Sequence, residues 1–248
     1  MSTTNLAGRR ALVTGGSRGI GAEIVRQLAA DGAAVAFTYS ASATYAEKLV
    51  AELTANGATV VAIQADAADA AQTEAAVERA AAELGGLDVL VNNAAIATLA
   101  PIDEFTAEQF DRILAINVGG VFWASRSASA HLTDGGRIIN IGSVNADRVP
   151  GPGVSVYAMT KGAVSSFTRG LARELGPRGI TVNNVQPGPI NTDMNPDEGD
   201  FAESLKAITP LGRYGRTTEI AALVSFLAGP ESGYITGAHL NVDGGFTV

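Results

Sequence analysis

Seven short runs of β-branched and aliphatic residues recur along the chain: ALVTG, AVAFTY, VVAIQAD, LDVLVNNAA, RIINIGS, ITVNNVQPG and HLNVDGG. They are mostly unalternated. A strand with one wet face alternates apolar and polar residues, so continuous apolarity calls for cover on both faces. The segments between them have helical spacing. GAEIVRQLAADG sets Ile24 and Leu28 one turn apart and stops at Gly32; TYAEKLVAELTANG places Leu49, Val50 and Leu53 before Gly57. Alternating strand and helix predicts an α/β fold, a doubly wound parallel sheet of about seven strands with helices on both faces. One core accommodates 248 residues of this pattern, so residues 1–248 are expected to form a single domain. The longest irregular stretch, about 187–216, is rich in Pro, Gly and acids and reads as a lid within that domain.

The first strand runs into TGGSRGIG and then a helix. Gly15, Gly19 and Gly21 permit a tight turn that brings backbone N–H groups close to a pyrophosphate, and the helix N-terminus adds partial positive charge. The spacing differs from G-x-G-x-x-G, but the position between first strand and first helix favours a dinucleotide. Gly15 to Gly19 also matches G-x-S-x-G, the nucleophile elbow of hydrolases, with Ser17 as nucleophile. That chemistry needs a later acid and then a histidine, and only His131 and His239 exist, each read as a surface or packing residue. The second strand ends Thr38, Tyr39, Ser40, without the acid that would accept from a ribose 2′-hydroxyl. With Arg18 in the phosphate turn, a 2′-phosphate is better accommodated, so NADP(H) is preferred over NAD(H).

Tyr157 and Lys161 stand four positions apart in SVYAMTKGAVSSF, on one face of a helix. A free tyrosine, pKa about 10, is a poor base at neutral pH. A neighbouring ammonium favours phenolate, giving a group able to donate a proton to a carbonyl oxygen or take one from an alcohol. Ser143 follows RIINIG at a strand's carboxyl end, where open α/β sheets place ligands. Asn117 precedes Gly119 and Gly120, each costing a helix about 1 kcal/mol unless it is locally opened or tightly packed.

With TGGSRGIG, NNAA, Ile116-Asn117, IGS, YAMTK and PGPINT in order, the sequence resembles the short-chain dehydrogenase/reductase family along essentially its whole length. The resemblance implies a Rossmann-type fold with its dinucleotide-binding half over about 8–150. It also implies a catalytic set: Ser143 on the substrate oxygen, Tyr157 as acid/base, Lys161 lowering that pKa and binding ribose, and Asn117 holding a relay water. The cofactor would meet Gly15, Ser17, Arg18, Gly19, Ile20 and Gly21 in the turn, then Tyr39 and Ser40. Asp66 and Ala67 would lie at the adenine, Asn93 and Ala94 beside it, and Pro187, Gly188, Ile190 and Thr192 toward the nicotinamide. Ala95 departs from the usual NNAG. A homotetramer is implied, with the Tyr157 and Asn117 helices paired between subunits; Ala158, Gly162, Ala163, Ser165 and Ser166 would allow such close approach. Phe122 and Trp123 are read as core or interface.

The expected activity is NADPH-dependent reduction of a ketone to a secondary alcohol, reversibly. A 3-oxoacyl carrier-protein or thioester reductase is the nearer alternative, with Arg178 as a docking cation; a non-enzymatic dinucleotide sensor and the hydrolase are remote. In the lid, Met194, Phe201, Leu205, Ile208 and Leu211 would cover a moderately apolar substrate, while Asp193, Asp197, Glu198 and Asp200 face water. The net charge of −8 disfavours nucleic acid and anionic membrane as partners. No apolar run approaches the roughly 18 residues of a membrane span, the N-terminus lacks a leader's apolar core, and there is no cysteine for disulfide or thiolate metal site. A metal-free cytoplasmic protein is therefore expected.

Overall fold

A computed structural model describes residues 6–248; the first five residues, part of the stretch expected to carry no leader, lie outside the described residues. Strands β1 (Arg10–Val13), β2 (Ala34–Tyr39), β3 (Val60–Gln64), β4 (Leu87–Asn92), β5 (Leu132–Ile141), β6 (Thr181–Pro187) and β7 (His239–Val242) form one sheet in the order β3-β2-β1-β4-β5-β6-β7. All six pairings are parallel. Each predicted apolar run supplies one of these strands.

Two buried clusters explain why those runs do not alternate. On one face Val13, Phe37, Val89 and Val185 pack with Ile24 and Leu28 of α1 (Gly19–Ala30), Leu49 of α2 (Ala43–Ala55) and Val224 of α8 (Thr217–Ala228). On the other, Leu12, Leu90, Ile138 and Val182 meet Val77 of α3 (Ala70–Leu84), Ala124 of α5 (Val121–His131) and Leu171 of α6 (Ser155–Leu175). Successive strand residues thus enter opposite cores, and each fully buried large side chain contributes about 1.5–3 kcal/mol. The predicted stops Gly32 and Gly57 both take positive φ, +99° and +82°.

Below the sheet, at the strands' amino ends, the Arg10 guanidinium grips Asp88 from Nε at 2.7 Å and Nη2 at 3.0 Å, and Thr133 donates to the same carboxylate at 2.7 Å. The opposite, carboxyl end is left for loops. There β1 runs outward to β2 on one side and is flanked by β4 on the other, so the connections diverge and open a crevice.

Three expectations need correction. Residues 187–216 are not wholly irregular: they contain helix α7 (Asp200–Ala207), with Asp200 and Glu203 in its first turn and Lys206 in its last, charges that suit the helix dipole. Leu205 is buried in a cluster with Val144, Ala202, Tyr214 and Phe246, so it anchors this segment to the rest of the fold instead of covering a substrate. Phe122, 43% exposed, stands edge-on to Trp123 and Phe167 and is no core residue. Among the described residues no helix is long and apolar enough to cross a membrane.

Candidate active site

The glycine turn after β1 is built without room for side chains. A Cβ at Gly21 would lie 2.3 Å from the Gly15 carbonyl oxygen and 2.5 Å from Asn93 Nδ2; one at Gly15, whose φ is +64°, would meet Ala94 Cα at 2.9 Å. The turn is pinned from below. Gly15 N donates to Thr38 Oγ1 at 2.9 Å, Asn93 Nδ2 donates to the carbonyls of Thr14 (3.0 Å) and Gly15 (2.9 Å), and the Asn93 and Ala94 N–H groups donate to Thr14 Oγ1. Asn93 and Ala94 therefore hold the turn as well as bordering it. Arg18, exposed, is the residue before the first turn of α1.

Around this turn lies a cavity of about 450 Å³. Gly15, Ser17, Arg18, Gly19, Ile20, Gly21, Tyr39, Ser40, Asp66, Ala67, Asn93, Ala94, Ser143, Tyr157, Lys161, Pro187, Gly188, Ile190 and Thr192 all line it. Asn117 is the one predicted residue that does not. It is 1% exposed within a π-helical segment, Ala115–Gly120, that joins α4 (Ala107–Leu114) to α5. Its Oδ1 accepts from Ile96 N at 2.9 Å, and its Nδ2 donates to Ile96 O (2.9 Å) and Thr160 Oγ1 (3.1 Å). The amide is spent on these two neighbours, behind the cleft wall. The widened helix absorbs both glycines, and a Cβ at Gly120 would come within 2.8 Å of the Ala67 carbonyl oxygen, so the segment is at once opened and tightly packed.

Ser143 and Tyr157 face each other across the cleft. Burial pushes the Tyr157 phenol above its ordinary value of 10.0, and a hydrogen bond with Ser143 pulls the other way. Lys161, 4% exposed, donates from Nζ to the Ile141 carbonyl at 3.0 Å and sits 5.6 Å from the centre of the Tyr157 ring. Its ammonium is pushed down to about 8 by burial. From the sequence only the cation's pull on the phenol is apparent; in the folded cleft burial is the larger effect on both groups.

Several neighbours carry no sign in the sequence. Arg112, of α4, reaches the cavity and pairs with Asp66. Burial alone would raise the Asp66 carboxyl, but the Ala68 N–H and the Arg112 guanidinium outweigh it and hold it below the usual range. Asn195 also lines the cavity, beside Met194, which the sequence points to as a residue over the substrate, and Ile96 lines it near Asn117. The two ends of the 187–216 segment are joined by Gly215 N to Pro189 O (2.8 Å) and Asn191 N to Gly215 O (3.0 Å). Arg178 is not a free docking cation: it donates to the carbonyls of Ser129 (2.6 Å) and Leu132 (2.5 Å) and pairs with Asp134. Neither histidine lines the cavity. Of the small residues on α6, Ser165 is buried and donates to Gln186 at 3.1 Å, whereas Gly162 faces outward, where a Cβ would meet nothing within 4 Å.

These features agree with comparisons to known proteins. Residues 15–247 match a family model described as Enoyl-(Acyl carrier protein) reductase. The chain is 44% identical to the cyclic-di-GMP-binding biofilm dispersal mediator protein of Escherichia coli strain K12, over 96% of this chain and 97% of the relative. A short-chain dehydrogenase/reductase from Serratia marcescens BCRC 10948 superposes with a TM-score of 0.97 at 57% identity, covering 98% of this chain and 99% of that one. A short chain dehydrogenase from Burkholderia cenocepacia J2315 in complex with NADP gives 0.97 at 50% identity, covering 98% and 100%. With its seven-stranded parallel sheet, glycine turn and full-length relatives, this chain belongs to the short-chain dehydrogenase/reductase family and is an NAD(P)-dependent oxidoreductase.

Proposed function

We propose that the chain is an NADPH-dependent carbonyl reductase acting reversibly on a free ketone of small to medium size. The observation that carries this is a single cavity lined by both the glycine turn and the Ser143, Tyr157, Lys161 set. The tight glycine contacts described above fit a pyrophosphate pressed onto backbone N–H groups. Arg18 and the acid-free end of β2 suit a 2′-phosphate, and the Burkholderia relative was solved with NADP. Ile190 and Thr192 would border the nicotinamide, and Asp66 and Ala67 the adenine.

The reduced nicotinamide supplies the hydride. The chain's part is to hold and protonate the oxygen. Ser143 donates a hydrogen bond that fixes the carbonyl oxygen beside Tyr157, and the Tyr157 hydroxyl delivers its proton as the alcohol forms. Burial keeps that phenol protonated through neutral pH, the state reduction requires. Lys161, bonded to the Ile141 carbonyl, keeps positive charge beside the ring and limits the cost of the phenolate left behind. Asn117 secures this arrangement by joining Ile96 to Thr160, the residue before Lys161.

Tyr157→Phe tests the assignment: NADPH affinity should survive while turnover falls at least a thousandfold, and undiminished turnover would falsify it. A free ketone is preferred to an acyl carrier protein because Arg178 is already engaged and the surface is acidic overall. A panel of ketones and 3-oxoacyl thioesters, followed by loss of reduced-nicotinamide absorbance, decides between them. The hydrolase reading lacks its histidine base, since neither His131 nor His239 lines the cavity that holds Ser17. We further read the protein as a cytoplasmic homotetramer, with the exposed Phe122 of α5 and the exposed Met159 and open Gly162 of α6 available to a second subunit.

A further inference from the structure

Ser143 stands on the turn after β5, whereas Tyr157, which it faces, belongs to α6. The turn's own bonds do not relate the two. Ser143 Oγ accepts from Asn145 N at 3.1 Å and its carbonyl from Ala146 N at 3.1 Å, both inside one 3-10 turn, Val144–Ala146. The wider ties run through β6. Asn184 and Gln186 are fully buried and, two positions apart, point to the same face of that strand. Asn184 lies directly under Gly142, where a Cβ would come within 2.4 Å of Asn184 Oδ1. Gln186 reaches two elements at once. Its Oε1 accepts from Ser165 Oγ of α6 at 3.1 Å, and its Nε2 donates to Oδ2 of Asp147, just beyond the 3-10 turn, at 2.5 Å. Ser165 follows Lys161 by four positions, as Lys161 follows Tyr157, so all three share a helix face.

The Gln186 amide has no freedom to turn. Asn184 Nδ2 also donates to its Oε1 at 2.9 Å, and its Nε2 also donates to Asn241 Oδ1 at 2.9 Å, so both donors and both acceptor positions are filled. It is a fixed strut between the turn that bears Ser143 and the helix that bears Tyr157. The Asp147 end of the strut is exposed, where substitutions seldom alter folding stability much, so its effect is geometric. We propose that Asp147 and Gln186 are positioning residues for Ser143: braced on Ser165, they set the turn so that the Ser143 hydroxyl meets Tyr157. This rests on the reading that Ser143 and Tyr157 handle the substrate oxygen. Neither Asp147 nor Gln186 touches that oxygen; both act through Ser143, and a hydroxyl misplaced by about 1 Å slows a reaction far more than it weakens binding.

Steady-state reduction of the best ketone of the panel, with NADPH affinity and Tm measured separately, tests this. Asp147→Ala should lower kcat about tenfold, the size of one charge-assisted hydrogen bond, with NADPH affinity and Tm almost unmoved. Asp147→Asn keeps an oxygen for Gln186 Nε2 and should hold kcat within about twofold of wild type, which separates the hydrogen bond from the lost charge. In a Ser143→Ala background Asp147→Ala should cost nothing further, as befits a residue that acts through Ser143. Gln186→Leu should lower kcat as Asp147→Ala does and also lower Tm, since it leaves the buried Ser165 and Asn184 short of a partner. The proposal is overturned if Asp147→Ala leaves kcat unchanged, if Asp147→Asn loses as much as Asp147→Ala, or if Asp147→Ala costs the same with and without Ser143. Loss of turnover in Ser143→Ala would in each of those cases leave the catalytic reading standing. If Ser143→Ala is fully active, or the wild type reduces no carbonyl compound, both fall together.

Discussion

Lys161→Met should make the nucleotide-free protein more stable and inactive at once. Lys161 is nearly sealed from solvent, and burial holds its ammonium at about 8 against 10.5 for a free lysine. One pKa unit corresponds to about 1.4 kcal/mol, so keeping the charge at pH 7 costs the fold about 3 kcal/mol. Methionine removes that cost and fills a similar volume, but gives up the bond to the Ile141 carbonyl, about 1 kcal/mol. The expected gain is about 2 kcal/mol at pH 7. Its pH dependence has a definite sign. Between about pH 8 and 10.5 the unfolded lysine still binds a proton that the folded one has lost, so wild-type stability rises with pH across that window. Tyr157, raised above 10.0, binds protons more tightly when folded and opposes this only at higher pH. The variant's advantage should therefore be flat below pH 8 and gone by about pH 10. Urea unfolding of both proteins at pH 7, 8.5 and 10 measures it. A gap that stays constant with pH, or a variant weaker than wild type at pH 7, would refute the argument.

Arg18→Ala should lower the ratio of kcat/KM for NADPH over NADH by about tenfold or more, chiefly through NADPH; an unaltered ratio would remove Arg18 from the 2′-phosphate site. Gly21→Ala should raise the KM for nucleotide and lower stability by about 1–3 kcal/mol, since its methyl would overlap the Gly15 carbonyl oxygen; unchanged values of both would mean that the turn yields freely. Asp88→Asn should cost about 1–3 kcal/mol by leaving the partly buried Arg10 short of its partner. The wild-type Asp88 carboxyl lies below 3.8 because Arg10 and Thr133 outweigh burial, so its contribution is present above about pH 4 and lost as pH falls through the folded pKa. Acid unfolding of the variant should accordingly show a shallower loss of stability than wild type.

Much of the scaffold was legible because its causes are local. Continuous apolarity in LDVLVN reflects a strand whose two faces enter two cores, and Gly32 and Gly57 end helices in a conformation other residues resist. Tyr157 and Lys161 could be paired from a spacing of four because a helix turns that often. Helix α7 carried its own local sign, acids at the start and Lys206 at the end, which the surrounding Pro, Gly and acids obscured. Leu205 resembled a lid residue since nothing nearby announces Phe246, its packing partner in the last few residues of the chain. The fork from Arg112 to Asp66 spans 46 positions, and Arg178 finds its carbonyls more than 40 positions away. Contacts of that range depend on how helices seat against the sheet, which no periodicity encodes.

The least legible quantity was electrostatic, and it explains why the site is arranged as it is. A lysine beside a tyrosine suggests a lowered phenol, yet both belong to a cleft that penalises either charge. On the proposed assignment of Tyr157 as proton donor, the phenol is neutral before reduction and anionic after it, so the site would have to keep the two states close in free energy without water doing so. Burial raises the phenolate and the hydrogen bond with Ser143 lowers it again, while the Lys161 ammonium stands 5.6 Å from the ring, in surroundings of low dielectric. That balance cannot be reached with an exposed lysine, whose attraction would be screened, nor with methionine, which would stabilise the fold and remove the counter-charge. The about 3 kcal/mol by which buried Lys161 weakens the protein and the positive charge it holds beside Tyr157 are thus one property seen twice.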